Sequence, residues 1–335
     1  MIKIFVFAEV LMEFLYFLEE LRTPFFNWFF ETITHLGEET FFLVISIVFF
    51  WCVNKREGYY ILLTGLYGTL LNQTLKLAFR IERPYVKDPN FKFVGNANVE
   101  ATGYSFPSGH TQNIAGTYGA IAAYNRKRWL TVTCVVVIAL VAFSRMYLGV
   151  HTPLDVSVSL GIALILVVGL RPLFASEDRF KKAFPYLVIV SVVLSVAYLV
   201  YVLCLAGDTT LDAANYKSGL KNACTLFGCM LGLVLVYFID TKFVNFQTGA
   251  RWYAQIIKAV VGFGLVYAIK AGLSSPLTLL FGNEYVARVV RYFLIVGFAG
   301  AVWPLTFKWF SELRIDVFER FGKWVASLFS KKAAK

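Results

Sequence analysis

Residues 129–170 read WLTVTCVVVIALVAFSRMYLGVHTPLDVSVSLGIALILVVGL, and this stretch decides the fold. It contains two apolar runs on either side of a short polar turn. His151 lies in the turn, and Arg145 and Asp155 lie beside it at the ends of the two runs. A helix of about 20 apolar residues is long enough to span the hydrocarbon core of a bilayer. The stretch therefore predicts two transmembrane helices joined at a membrane surface, with ionisable side chains in the joining turn.

The composition of the whole chain is that of a polytopic membrane protein. Of its 335 residues, 58% are hydrophobic and 16% are charged, and the mean hydropathy is +0.65. This leaves too little polar surface for a soluble globule and excludes a disordered chain or a disulfide-stapled secreted domain. The net charge of +11 fits the Lys and Arg residues of membrane-flanking loops, so we expect no nucleic-acid partner.

Apolar runs bounded by charges, Gly or Pro predict the remaining spans. Nine candidate spans result, at 39–53, 58–79, 109–124, 129–148, 153–170, 184–205, 220–239, 253–273 and 289–310. The predicted fold class is all-α, a polytopic membrane bundle of about nine transmembrane helices. The predicted units are an amphipathic interfacial segment at 1–36, a catalytic core at 37–172, four accessory spans within 183–310 and a basic amphipathic tail at 311–335.

Two of the three histidines, His110 and His151, occur in polar segments at the ends of predicted spans. Histidine is the natural proton carrier near neutral pH. His110 lies in FPSGHTQ, where Pro107 and Gly109 break the backbone just before a helix, and the free amides of a helix start suit an anion. Asp155 follows His151 by four residues, which predicts that both lie on one helical face and that the carboxylate orients the ring.

Basic residues gather around the same segments. Lys76 ends the second predicted span, Arg83 follows it, and Arg145 precedes the second histidine. A single Lys or Arg at a span end is usually a lipid anchor. Here two predicted spans separate His110 from Ser144, so the chain crosses the membrane and returns, and all these residues emerge on one face. Arg presents a fork that matches phosphate oxygens, so the group predicts a phosphate site.

Three segments together resemble the signature of the type 2 phosphatidic acid phosphatase (PAP2) family. They are Lys76 with Arg83 and Pro84 as K-x6-RP, Pro107 to His110 as PSGH, and Ser144 and Arg145 with His151 and Asp155 as SR-x5-H-x3-D. The resemblance covers about residues 37–171 and leaves out the spans after Lys182. The apolar composition resembles the integral-membrane lipid phosphatase branch rather than the soluble members of the family.

The resemblance implies a role for each matched position. His151 would attack phosphorus and form a phosphohistidine, Asp155 would fix its ring, and His110 would act as the general acid and then as the base. The residues implied to bind the phosphate oxygens are Lys76, Arg83, Ser108, Gly109 and Arg145. This scheme requires no metal and no other cofactor, and the sequence has no acidic cluster suited to Mg²⁺.

The predicted function is therefore a metal-independent membrane phosphatase that acts on a lipid phosphate or a polyprenyl diphosphate, with membrane lipids as its surroundings. The motifs do not select among phosphatidic acid, phosphatidylglycerophosphate, sphingosine phosphate and undecaprenyl diphosphate. Two alternatives stay open: a phosphotransferase that uses the same site, and a lipid transporter or scramblase, which the four accessory spans favour. Small residues at 262–264 and 297–300 allow close helix approach and are compatible with a homo-oligomer.

The charge of the loops predicts the orientation of the site. Between residues 54 and 182, the loops opposite the site carry nine Lys and Arg residues, whereas the loops on the site face carry six. Three of those six are implied to bind phosphate. Because cytoplasmic loops are enriched in Lys and Arg, we expect the active site on the extracytoplasmic face.

Overall fold

The structure, a computed structural model, describes residues 2–95 and 103–330. The described residues form helices and no strand, which confirms the all-α fold class. The helices, numbered here in chain order, are α1 Ile2–Glu20, α2 Pro24–Thr34, α3 Glu39–Val48, α4 Lys55–Phe79, α5 Pro84–Lys87, α6 Gly109–Asn125, α7 Arg128–Tyr147, α8 Pro153–Leu170, α9 Glu177–Cys204, α10 Ala213–Ile239, α11 Trp252–Gly272, α12 Ser274–Phe281, α13 Glu284–Gly297, α14 Phe307–Glu312 and α15 Asp316–Ser330. Part of the polar connection that precedes α6, residues 96–102, lies outside the described residues, as do residues 331–335 of the predicted tail.

Six helical segments of the described chain are long and apolar enough to cross a membrane. They are Arg128–Tyr147, Pro153–Phe174, Glu177–Cys204, Ala213–Val244, Trp252–Phe281 and Glu284–Glu312. A seventh results if the bent pair Pro24–Gly37 and Glu39–Val53, which meet at 52°, forms one span. The chain is an integral multi-pass membrane protein, but the predicted count of nine spans is not confirmed.

The predicted spans 58–79 and 109–124 form the helices α4 and α6. Neither is among the helices that are both long and apolar enough to cross a membrane by themselves. These two helices are the interior of the first half: α4 buries 15 of its 25 residues and α6 buries 9 of its 17. By contrast, only 11% of the apolar window of Trp252–Phe281 is buried. A helix that other helices surround needs little apolar surface for lipid, so it can carry buried polar residues such as Asn72 and Gln112.

α4 also joins the first half of the bundle to the second. On one side it packs against α6 and α8. On the other side Leu77 lies against Gly219 of α10, where an added Cβ would come within 2.8 Å of it. Arg80 ends α4 and pairs with Asp208 at 2.7 Å, and it donates a hydrogen bond to Thr210 at 2.7 Å. The chain segment that leads into α10 is therefore fixed against the end of α4.

Most of the small residues that predict close helix approach pack against other helices of the same chain. The space for a Cβ at Gly262 is taken by Trp51 and Trp303, and at Gly300 by Val236. Gly264 faces open space, with nothing within 4 Å of its Cβ position. The close approach of helices is thus intramolecular at two of these positions, and self-association stays a prediction.

Gly228→Ala should destabilise the fold, because a Cβ at this position of α10 would lie 2.4 Å from the backbone carbonyl oxygen of Val289 in α13. A backbone atom cannot turn away as a side chain can, so overpacking should cost about 1–3 kcal/mol and lower the melting temperature of the detergent-solubilised protein. Gly264→Ala is the matched control and should keep or slightly raise it, since Ala favours a helix. Equal melting temperatures for the two variants would contradict the close packing of α10 on α13.

Candidate active site

The segment Pro107 to His110 is anchored at the start of α6. Ser108 is the N-cap of this helix, and its hydroxyl oxygen accepts hydrogen bonds from the Thr111 amide at 3.4 Å and the Thr111 hydroxyl at 3.0 Å. The amide of Ser108 donates to the carbonyl oxygen of Asp155 at 3.2 Å, and Ser159 donates to the carbonyl oxygen of Ser108 at 2.9 Å. Two of the three sequence motifs are therefore in direct contact.

His151 and Asp155 meet through a capping turn rather than along a helix face. α8 begins at Pro153, so the histidine precedes the helix, whereas Asp155 belongs to its first turn and accepts the Thr152 amide at 2.8 Å. The Asp155 carboxylate lies 3.5 Å from Nδ1 of His151. Ser105 joins the two, since its hydroxyl donates to the carboxylate at 2.5 Å and lies 3.4 Å from Nδ1. The expected pair is thus a group of three.

Arg83 contacts the other side of the His151 ring. Its Nη1 lies 3.2 Å from Nε2 of His151 and donates to the carbonyl oxygen of Val150 at 3.0 Å, while its Nε donates to the carbonyl oxygen of Gly103 at 3.0 Å. Arg83 can only donate, so Nε2 must accept and the proton of a neutral ring must sit on Nδ1, towards Asp155. This tautomer presents a lone pair on Nε2.

Lys76 and Arg145 complete the cationic group. Lys76 donates to the carbonyl oxygens of Tyr104 and Ser105, and Arg145 donates to the hydroxyl of Thr34 at 2.7 Å. The carbonyl oxygen of Arg145 accepts the amide of His151 at 3.3 Å, which ties the end of α7 to the histidine turn. The exposed fractions of Lys76, Arg83 and Arg145 are 8%, 4% and 0%, so all three positive charges are withdrawn from water.

His110 also experiences the positive charge of this cationic group. Arg145, Arg83 and Lys76 act electrostatically on its imidazole, and so does His151. Its Nε2 is buried and has no hydrogen-bond partner among the described residues. A buried polar atom of this kind normally has a partner, so the position is suited to exchange a proton with a ligand.

Two of the groups lie in the connections, outside the membrane-spanning helices, and burial affects both. Burial lowers the pKa of Arg83 to about 10, at which it still carries its charge at neutral pH. Burial likewise lowers the pKa of His151 below its usual 6.5, an effect that the hydrogen bond to Asp155 opposes and the Arg83 charge reinforces. Burial and the Arg83 charge thus favour the neutral form of the His151 ring, whose Nε2 lone pair accepts the hydrogen bond from Arg83.

Contacts among the described residues link six of the eight residues that the sequence singled out, and Gly109 and His110 follow one of the six, Ser108, directly in the chain. Ser105, Thr34 and Asn72 also take part, although no motif marks them. Asn72 of α4 donates to the carbonyl oxygen of Pro107 at 3.3 Å, and its Oδ1 is buried without a partner in the described part of the chain. Within residues 2–95 and 103–330, no group of three or more His, Cys, Asp or Glu residues has the geometry of a metal site.

Comparison with known proteins gives a consistent picture. Residues 57–179 match the model of the PAP2 superfamily, and residues 224–314 match that of the transmembrane extension of PAP2 superfamily phosphatases. Phosphatidylglycerophosphatase B of Bacillus subtilis is 33% identical over 48% of this chain and 82% of its own length. A probable sphingosine-1-phosphate phosphatase of Dictyostelium discoideum is 27% identical over 45% of this chain but only 39% of its own length.

Among solved structures, a transmembrane PAP2 type phosphatidylglycerolphosphate phosphatase from Bacillus subtilis has 28% sequence identity to the chain. The match covers 52% of this chain and 89% of that one, with a TM-score of 0.45.

The helical membrane fold and the two family matches define a membrane-embedded phosphoric ester hydrolase. The chain belongs to the PAP2 superfamily. The resemblance found in the sequence ends near residue 171, whereas the second match lies among the accessory spans. The helices of the second half are therefore also typical of PAP2 phosphatases.

Ser105→Ala should lower kcat for phosphate release about tenfold and leave KM nearly unchanged, because the carboxylate that orients His151 loses a hydrogen-bond donor. Ser46→Ala is the matched control, since Ser46 is also buried and hydrogen-bonded, but to Phe42 in α3. It should retain full activity. An unchanged kcat in Ser105→Ala, or an equal loss in the control, would show that Ser105 does not position the histidine.

Proposed function

We propose that this chain hydrolyses a lipid phosphate monoester or a polyprenyl diphosphate through a phosphohistidine on His151, without a metal ion. The observation that carries the proposal is the buried imidazole of His151 beside the buried Lys76, Arg83 and Arg145, with the half-buried His110 at the start of α6. One imidazole has a lone pair on Nε2, and the other has a buried Nε2 with no partner among the described residues. A nucleophile and a proton carrier beside three cations are what phosphoryl transfer needs.

The reaction would proceed in two displacements. In the first, Nε2 of His151 forms a bond to phosphorus, the bond from phosphorus to the ester oxygen breaks, and His110 gives its proton to the departing oxygen. In the second, His110 takes a proton from water, and the water oxygen displaces His151 to release inorganic phosphate. Asp155 would stabilise the positive charge that His151 gains, since it lies on the Nδ1 side of the ring.

The three cations would stabilise the charge that develops on the phosphoryl oxygens. Backbone carbonyls hold Lys76 and Arg83 in a fixed orientation, so little reorganisation is needed during the reaction. The Ser108 hydroxyl accepts two hydrogen bonds and keeps its own proton for donation to a phosphate oxygen, next to the amide of Gly109 at the start of α6. Loss of one such donor typically costs about 10²–10³ in rate.

Release of inorganic phosphate by the detergent-solubilised protein, measured over a panel of lipid phosphates and diphosphates, tests the proposal. With no second compartment present, transport cannot account for the signal. Transfer of the phosphoryl group to an added alcohol without release of inorganic phosphate would instead indicate a phosphotransferase. Failure to cleave any member of the panel would overturn the proposal.

The two histidines should differ in their dependence on the leaving group. His151→Ala should abolish turnover of every substrate, because no bond to phosphorus can form. His110→Ala should lose about 10²–10⁴-fold on an alkyl phosphate, whose alkoxide must be protonated, but much less on a nitrophenyl phosphate, whose leaving group departs without a proton. Initial rates on the two esters measure this difference.

EDTA in the same assays is the control for a metal requirement and should leave the wild-type rates unchanged. If His110→Ala lost equal activity on both esters, or if His151→Ala kept activity on the aryl ester, the assignment of nucleophile and acid would be wrong.

We further propose that the site faces the extracytoplasmic side, as the loop charges predict. Asn90 lies exposed in the connection that contains Arg83, and Lys127 lies exposed in the connection between α6 and α7. In a background without the five native cysteines, Asn90→Cys in intact cells should react with a membrane-impermeant thiol reagent and Lys127→Cys should not. Labelling of Lys127→Cys alone would reverse the orientation.

A further inference from the structure

A polar cavity lies beside the phosphate site, between the two halves of the bundle. It has a volume of about 50 Å³, and α4, the segment at Gly103 and Tyr104, and the first turns of α10 line it. Lys76 belongs to the wall of the cavity and to the cationic group of the active site. One water molecule needs about 10–15 Å³ of such volume, so the cavity has room for a small polar group.

The walls of the cavity carry neutral polar side chains. These are Gln73 of α4 and Asn215, Ser218 and Asn222 of α10. The last three follow each other at spacings of three and four residues, so they share one face of α10. None of the four side chains has a hydrogen-bond partner among the described residues, although each is at least partly buried. Polar side chains of a membrane protein that converge without internal partners mark a place for a polar ligand.

Amides and a hydroxyl both donate and accept hydrogen bonds and carry no charge. They match hydroxyl groups of a ligand, whereas an alkyl chain in the same place would leave them unpaired at a cost. The alcohol part of a phosphate ester is bonded directly to phosphorus, so it must lie next to the phosphate. We infer that this cavity binds the hydroxyl-bearing part of the esterified alcohol, a glycerol-type group. The inference rests on the proposed phosphatase function and narrows its substrate class.

The second half of the bundle would then act as a specificity element. The contact of Leu77 with Gly219 and the ion pair of Arg80 with Asp208 hold the start of α10 against α4. The three polar residues of α10 are thereby fixed beside Lys76 rather than carried on a free loop. This gives the accessory helices a part in choosing the substrate, while the groups that carry out the reaction stay in the first half.

The test compares two phosphate monoesters of equal chain length, a 1-alkylglycerol 3-phosphate and a plain alkyl phosphate. Asn222→Leu and Ser218→Ala should each lower kcat/KM about tenfold for the glycerol ester and hardly at all for the alkyl ester. The control is Lys217→Gln, on the same helix but exposed and outside the cavity wall, and it should keep the wild-type ratio. Melting temperatures of all variants exclude a folding defect.

Each outcome decides the inference. An equal loss on both esters, an unchanged ratio, or a larger loss on the alkyl ester overturns the glycerol-type subsite while the phosphatase proposal stands. A wild-type protein that hydrolyses neither ester but cleaves another member of the lipid phosphate panel overturns the subsite alone. One that cleaves no member of the panel overturns the proposed function, and the subsite with it.

Discussion

The burial of three cations beside the carboxylate of Asp155 is the constraint on which the site depends. Lys76, Arg83 and Arg145 are all removed from water, and Asp155 is the buried carboxylate that the described residues place with them. Removing a charge from water costs several kcal/mol unless partners compensate. Backbone carbonyls and the Thr34 hydroxyl accept hydrogen bonds from these cations, and Asp155 brings a negative charge beside them. A phosphate dianion would add negative charge at the same place.

The motifs in the sequence predicted the residues of this site but not how they are connected. K-x6-RP, PSGH and SR-x5-H-x3-D mark side chains whose types and spacings suit phosphate chemistry on their own. Ser105 and Thr34 come to the site only through folding, because each contacts residues far away in the chain, and single hydroxyls have no pattern in a sequence. The number of spans could not be predicted for a similar reason. Apolar runs in a sequence indicate helices that contact lipid, whereas α4 and α6 are largely covered by other helices.

α4 connects the chemistry to the rest of the molecule. Its buried face supports α6 and α8, at whose N-terminal ends the two histidines lie, and its last turn carries Lys76. The same turn contacts α10 through Leu77 and ends at Arg80, which binds Asp208. A helix with so many protein contacts has few sites at which it faces lipid. Its polar residues Asn72, Gln73 and Lys76 contribute to the site and the neighbouring cavity.

Identification of the covalent intermediate tests the central claim most directly. The protein would be mixed rapidly with a radiolabelled phosphate ester and quenched in alkali, in which phosphohistidine survives, and the labelled peptide would then be sequenced. The account predicts that the label is on His151, in the connection between α7 and α8, and that acid releases it. Label on His110 or on any other residue would contradict the account.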